Sequence, residues 1–192
     1  MIEIKNLNKS FGKEKVFDNY SLNIEEEKIT AIMGGSGVGK TTLLRILSHL
    51  DNDFEGTIIN KPEKPSWVFQ EDRLLPWLSV YQNLQLILPP DKPNIKAKID
   101  NILQKVGLVE AKAKKPNELS GGMKRRVALA RAFIADSKVL LLDEPFKGLD
   151  KTMKLKIANI LLDEARKDKK TVLIVTHDQE IAALADCNII ID

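Results

Sequence analysis

Residues 34–41 read Gly34-Gly35-Ser36-Gly37-Val38-Gly39-Lys40-Thr41. They fit G-x-x-x-x-G-K-[ST], the pattern of a phosphate-binding loop. The run Ile29-Thr30-Ala31-Ile32-Met33 before them is apolar and partly β-branched, and reads as a buried strand. Thr42-Leu43-Leu44-Arg45-Ile46-Leu47 after them reads as a helix. Strand, glycine loop, helix is the context the motif requires. Glycines let the backbone take φ > 0 and turn successive N–H groups inward, a nest for anionic oxygens. The helix adds its positive N-terminal end. Lys40 suits the β- and γ-phosphates, and the Thr41 hydroxyl suits Mg²⁺.

The rest of the chain supplies the sheet this loop needs. Residues 1–6 alternate apolar and polar, with Ile2 and Ile4 against Glu3 and Lys5, a half-buried strand. Ser10-Phe11-Gly12-Lys13 reads as a turn, and residues 16–24 alternate again. These two strands predict a small antiparallel sheet beside a parallel one. Thr57-Ile58-Ile59 and Trp67-Val68-Phe69 read as short strands, the second ending at Gln70. Val139-Leu140-Leu141-Leu142 and Thr171-Val172-Leu173-Ile174-Val175 are continuous apolar runs, and residues 188–192 a last strand. Strands of that kind alternating with helices mean a parallel sheet covered on both faces. Long helices are expected over 124–135 and 153–169, and a short one over 181–185. Residues 72–118 read as mostly helical and polar, with an amphipathic helix over 95–106 and a stiff break at Pro89-Pro90-Asp91-Lys92-Pro93. They interrupt the strand–helix alternation, so they read as an inserted helical subdomain.

Composition removes several function classes. A net charge of +3, with basic residues scattered among acidic ones, argues against a nucleic-acid partner. The single cysteine, Cys187, excludes an intramolecular disulfide and fits a reducing cytosol. No apolar run approaches the roughly 18 residues of a membrane span, and the N-terminus reads as a strand, not a signal peptide. Any membrane role is therefore expected to come through a partner.

The strand at 139–142 runs straight into Asp143-Glu144. Carboxylates at the C-terminal end of a buried strand stand where open α/β sheets bind ligands. In a phosphate-loop protein the first holds Mg²⁺ and the second can polarise an attacking water. Leu119-Ser120-Gly121-Gly122-Met123 is a second glycine turn at a helix start, hence a second anion half-site. Either the chain binds two nucleotides, or two chains face each other and each completes the other's site.

Taken together, these motifs resemble the ATP-binding subunits of ATP-binding-cassette transporters, over essentially the whole chain. The resemblance rests on residues 34–41, Gln70 at a strand end, the signature at 119–123, Asp143-Glu144, the turn Gly148-Leu149-Asp150, and His177. It implies a phosphate-loop NTPase core with a parallel sheet, an N-terminal antiparallel β subdomain and an inserted α-helical subdomain. Core residues would be 1–71 and 129–192, with the helical subdomain at 72–128. The cofactors implied are ATP and Mg²⁺. Nucleotide would be bound by Phe11, stacked on adenine, by Gly34, Gly35, Ser36, Gly37, Val38, Gly39, Lys40, Thr41 and Thr42, and from the partner by Ser120, Gly121 and Gly122. Thr41 and Gln70 would hold the metal, with Asp143 acting through water. Glu144, His177, Gln70 and Lys40 would be catalytic, and Asp150 would couple the sites across the dimer. The partners implied are a second copy head to tail, transmembrane permease subunits and, indirectly, a solute-binding protein; the chain itself would sit peripherally at the cytoplasmic face of the cell membrane.

The run Val68-Phe69-Gln70-Glu71-Asp72-Arg73-Leu74-Leu75-Pro76-Trp77, with Met123 for the usual signature glutamine, resembles the importer subgroup serving nitrate, sulfonate, taurine and pyrimidine precursors. There are departures. Glu25-Glu26-Glu27 replaces the usual glycine turn, Lys147 sits in a turn that is usually smaller, and the chain stops at Asp192, before relatives do, so the C-terminal dimer support of the family is expected to be absent. Two rival readings differ in what they require. A cassette acting on DNA or ribosomes would carry long coiled-coil insertions or two cassettes in one chain. An ATP-binding regulatory switch would bind without turnover, against which Glu144 and His177 argue.

Overall fold

The computed structural model describes residues 1–91 and 93–192; Lys92, within the stiff break expected at 89–93, lies outside the described residues. Two sheets organise the chain. Strand β1 (Ile2–Phe11) pairs antiparallel with β2 (Glu14–Ile24) on one side and with β4 (Glu55–Ile59) on the other. The turn expected over 10–13 is tighter than that. Ser10 pairs with Lys15 and Phe11 with Glu14, so only Gly12 and Lys13 turn the chain. A two-residue hairpin loop suits the twist of the strands, and Gly12 supplies the positive φ it needs.

The second sheet is parallel throughout, in the order β5 (Ser66–Val68), β6 (Val139–Asp143), β7 (Thr171–Val175), β3 (Ile29–Gly34), β8 (Cys187–Ile191). Every residue of β7 is buried, as a strand covered on both faces must be. Successive side chains point to opposite faces. Leu140, Leu142, Val172 and Ile174 therefore join one core, shared with helices α2 (Val80–Gln85), α3 (Ile95–Lys105), α4 (Gly121–Ile134) and α5 (Lys151–Lys167). Leu141, Leu173 and Val175 join the other, with α1 (Lys40–Leu47) and the inner face of β1 and β2. Because all five strands run the same way, the segments leaving β3, β5, β6 and β7 emerge at one edge of the sheet. A four-residue helix, α6 (Gln179–Ala182), follows β7.

Residues 72–118 are less helical than their polarity suggests. They hold α2, α3 and two 3₁₀ turns, Val109–Ala111 and Pro116–Glu118. Prolines at 76, 89, 90 and 116 remove helical donors, and Gly107 at φ 66° ends α3. Buried Asn83 satisfies the irregular backbone instead. Its Oδ1 accepts from Leu75 N at 2.9 Å, and its Nδ2 donates to the carbonyls of Leu75, Leu78 and Ser79. Helix α4 is continuous through residue 128. In the Glu25-Glu26-Glu27 turn, Glu27 takes the left-handed conformation (φ 57°) that glycine usually fills, and its N–H donates to Thr171 Oγ1.

Gly34 closes β3 at φ 145°, and a Cβ built there would stand 2.1 Å from the carbonyl oxygen of Ile191. Gly34→Ala is therefore expected to push β8 off β3 and destabilise the fold by about 2–4 kcal/mol. Urea melts check this; a midpoint unchanged from the parent would show that the strand pair yields without cost.

Candidate functional site

The edge where β3, β5, β6 and β7 end collects most of the residues singled out above. From β3, the loop 34–39 delivers Lys40 and Thr41 to the first turn of α1. Gly39 is the N-cap of α1 at φ 99°, and a Cβ on it would fall 2.6 Å from Val16 Cγ1 and 2.8 Å from Phe17 Cζ. The loop can thus pack on β2 only with glycine there. Lys40 Nζ donates to the carbonyls of Gly34, at 2.9 Å, and Gly35, so the ammonium lies across the loop it belongs to. Val38 packs into the second core; Gly35, Ser36 and Gly37 are exposed; Thr42 is half-buried.

Strand β6 brings the carboxylates. Thr41 Oγ1 donates to Asp143 Oδ2 at 2.8 Å, which joins the first turn of α1 to the end of β6. Burial pushes the Asp143 carboxyl above its usual range; the Thr41 hydrogen bond opposes this, and neighbouring Glu144 adds to it. A hydroxyl and a buried carboxylate side by side are hard oxygen donors, which suits Mg²⁺, and the charge of such an ion would offset the burial of Asp143. Glu144 leaves the sheet with φ 46°, its N–H donating to Val175 O at 2.9 Å. That turn aims its side chain at the end of β7, where His177 Nδ1 lies 2.8 Å from Glu144 Oε1. With a carboxylate as partner, Nδ1 is the donor, and Nε2 can donate to an anionic ligand only when the ring carries a second proton. The imidazole is 74% exposed, Glu144 only 17%. Next to His177, Asp178 caps α6 and is paired with Lys154 of α5, so the histidine segment is tied to the helix that Asp150 caps.

From β5, Gln70 is exposed, and its carbonyl accepts from Arg125 Nη1 at 3.3 Å. Phe11 ends β1 with its ring 52% exposed and Lys9 Nζ 4.8 Å from the ring centre. The second half-site stands apart. Ser120 is the N-cap of α4, its Oγ accepting from Met123 N at 3.3 Å, and a Cβ on Gly122 would contact Leu149. Among the described residues, no hydrogen bond or ion pair joins residues 120–122 to residues 34–42. A small cavity of about 220 Å³ does lie between Glu144, Lys147, Leu149, Lys154 and His177. Two larger ones, of about 620 and 530 Å³, are lined by no residue of 34–42.

One residue at this edge escapes the motifs altogether. Arg125 is 3% exposed and donates to backbone carbonyls on both sides of the site. The available signal was weak: in Lys124-Arg125-Arg126, side chains on a helix diverge by about 100° per residue, so the three fan over about 200° and those at the margin can reach the apolar face.

A family model described as ABC transporter matches residues 17–147. The aliphatic sulfonates import ATP-binding protein SsuB of Bacillus subtilis is 40% identical over 173 residues, covering 86% of this chain and 68% of that protein. The dimeric structure of MJ0796, a bacterial ABC transporter cassette, superposes with a TM-score of 0.87 at 30% identity over 99% of this chain and 94% of that one. A post-hydrolysis state of the same cassette bound to ADP and Pi gives 0.88 at 31% identity, over 100% and 94%. The chain belongs to the ABC transporter family. Its fold is that of the family's ATP-hydrolysing cassette, and its relatives lie in the sulfonate branch that residues 68–77 and Met123 indicate. Among the described residues no helix is long and apolar enough to cross a membrane.

Proposed function

We propose that the chain powers import of a small organic anion of the sulfonate class, working as a head-to-tail pair on permease subunits at the cytoplasmic face of the membrane. The separation of its two anion half-sites carries this reading, since residues 120–122 make no polar contact with the loop at 34–41. Each ATP is then held by Lys40, Thr41, Thr42 and the loop amides of one chain and by Ser120, Gly121 and Gly122 of the other. Phe11 offers a face for adenine. Thr41 and Gln70 would hold Mg²⁺, with Asp143 acting through water, and the ion would supply positive charge against the charge developing on the phosphates. Lys40 exchanges its two carbonyl partners for phosphate oxygens. Glu144 takes a proton from the attacking water. His177 steadies that carboxylate through Nδ1–H, and Nε2 meets the γ-phosphate when it too carries a proton, so that both ring nitrogens donate. Gln70 reports the state of the γ-phosphate to the helical subdomain proposed over 72–128, whose last helix, α4, runs on past that boundary into the core.

The test is reconstitution with the permease and a binding protein. ATP hydrolysis is expected to rise when the binding protein carries an alkanesulfonate and not when it carries sulfate. Equal stimulation by both, or by neither, would remove the cargo assignment.

Docking to the permease is assigned to the stretch after Gln70. Leu74 packs on the first core, and Leu75 is fixed by Asn83. Trp77, by contrast, is 65% exposed and belongs to neither core. A rigid exposed indole is an interface anchor, worth about 2 kcal/mol or more when buried by a partner. Trp77→Ala is expected to keep the melting temperature and ATP affinity of the isolated chain while cutting co-purification with the permease at least tenfold. Normal co-purification, or a melt several degrees lower, would assign Trp77 to the fold instead.

A further inference from the structure

Arg125 sits five residues into α4 from its N-cap Ser120, roughly 7 Å along the helix. Its guanidinium spans the two segments that carry the chemistry. Nε donates to Pro145 O at 2.6 Å, and Nη2 donates to Glu144 O at 2.6 Å and Asp143 O at 3.2 Å. Nη1 turns the other way, to Phe69 O at 2.7 Å, Gln70 O at 3.3 Å and Asp72 Oδ1 at 3.3 Å. A rigid fork of five N–H donors thus meets acceptors from the ends of β5 and β6 at once. Further along α4, Arg131 fixes the same segment again, donating to Asp72 O at 3.0 Å and Arg73 O at 2.8 Å. Burying a guanidinium is unfavourable and is repaid only by near-complete hydrogen bonding, so a side chain serving packing alone would be apolar. What the fork holds is not an ordinary turn. Glu144 takes φ 46°, disfavoured for any residue with a Cβ, and is kept there by Val175 O on its N–H and Arg125 on its carbonyl.

We propose that Arg125 is a positioning residue for hydrolysis. It holds the Glu144 carboxylate and Gln70 in register with each other and with the helix whose N-terminus carries Ser120. The hydrogen bonds run in series. Nucleotide gripped by Ser120 of one chain loads α4; α4 moves Arg125; Arg125 moves the backbone at 69–70 and 143–145 beside that chain's own nucleotide. Each site is thereby told whether the other is filled. This rests on the reading of Glu144 as base and Gln70 as sensor.

The test uses the transporter assembled with its permease, carrying Arg125→Lys, Arg125→Gln or Arg125→Ala, with Glu144→Gln in parallel. The loop at 34–41 makes no hydrogen bond to Arg125, whereas Gln70 and Asp143, assigned to the metal, do; ATP affinity without Mg²⁺ is therefore expected to stay within about threefold while kcat with Mg²⁺ falls tenfold to a hundredfold, the loss typical of a misplaced catalytic group. Guanidinium ion at tens of millimolar is expected to restore part of the kcat of Arg125→Ala, and ammonium to restore none. A merely structural arginine gives a different pattern: affinity, kcat and melting temperature fall together and guanidinium restores nothing, which would overturn the proposal. So would full kcat in all three variants while Glu144→Gln is inactive, a result that leaves the reading of the site standing. Full turnover by Glu144→Gln would overturn both. Should Arg125→Ala fail to fold, Arg125→Lys and Arg125→Gln decide through the split between affinity and kcat.

Discussion

Glu144→Gln is expected to bind Mg-ATP as the parent does and to lose turnover by about a hundredfold or more. The substitution keeps the shape and the left-handed turn at φ 46°, because backbone partners fix both. The oxygen that takes a proton from water is replaced by a group that cannot accept one. General-base assistance is worth about 10²–10⁴ in rate. Asp143, the neighbouring carboxylate, is buried against Thr41 Oγ1. Steady-state phosphate release and nucleotide binding, measured on the same preparation, check the two halves. Near-normal release would remove Glu144 from the chemistry and reduce its 2.8 Å contact with His177 Nδ1 to a structural one.

The phosphate loop, β6 and β7 were legible because each carries a local signal that no tertiary contact overrides. Glycine spacing fixes one, and unbroken apolar runs delivering Asp143 and Thr176-His177 fix the others. The antiparallel sheet was half legible. Residues 2–5 and 16–24 alternate in sequence, but nothing in Thr57-Ile58-Ile59 says that β4 pairs with β1 and not with the parallel sheet; Ile58 opposite Ile4 decides that only in the fold. Residues 72–118 were half legible: the apolar spacing from Ile95 to Val106 predicts α3, but the rest, which reads as mostly helical, holds only α2 and two 3₁₀ turns. Their irregular backbone survives on one buried amide, Asn83, whose value is invisible until its four partners are in place. Arg125 was hidden for the same reason. A basic residue inside a basic triplet reads as solvated surface, and only the carbonyls converging from β5 and β6 make it interior.

In the Glu144→Gln background, Ser120→Arg is expected to change ATP-driven dimerisation from near complete to undetectable. The slow variant is the right one to use, because nucleotide that is not consumed holds the closed pair. Ser120 is exposed at the start of α4, and its hydroxyl caps the Met123 N–H at 3.3 Å. Losing that cap costs the monomer only about 1 kcal/mol, so the chain stays folded and its own loop at 34–41 still binds ATP. The arginine instead puts a long charged side chain where the partner's phosphates must seat against the N-terminal amides of α4. A guanidinium attracts phosphate, so charge alone would not forbid closure. Bulk does, because an exposed side chain of arginine length at the helix start fills the space in which the partner's phosphates would seat. Sizing with multi-angle scattering at saturating Mg-ATP reads the outcome. The Glu144→Gln protein should run at twice the chain mass and the double variant at the chain mass. If the single variant stays monomeric at high protein concentration, the half-site at 120–122 does not close on a second copy of this chain alone, and the permease must bring the pair together.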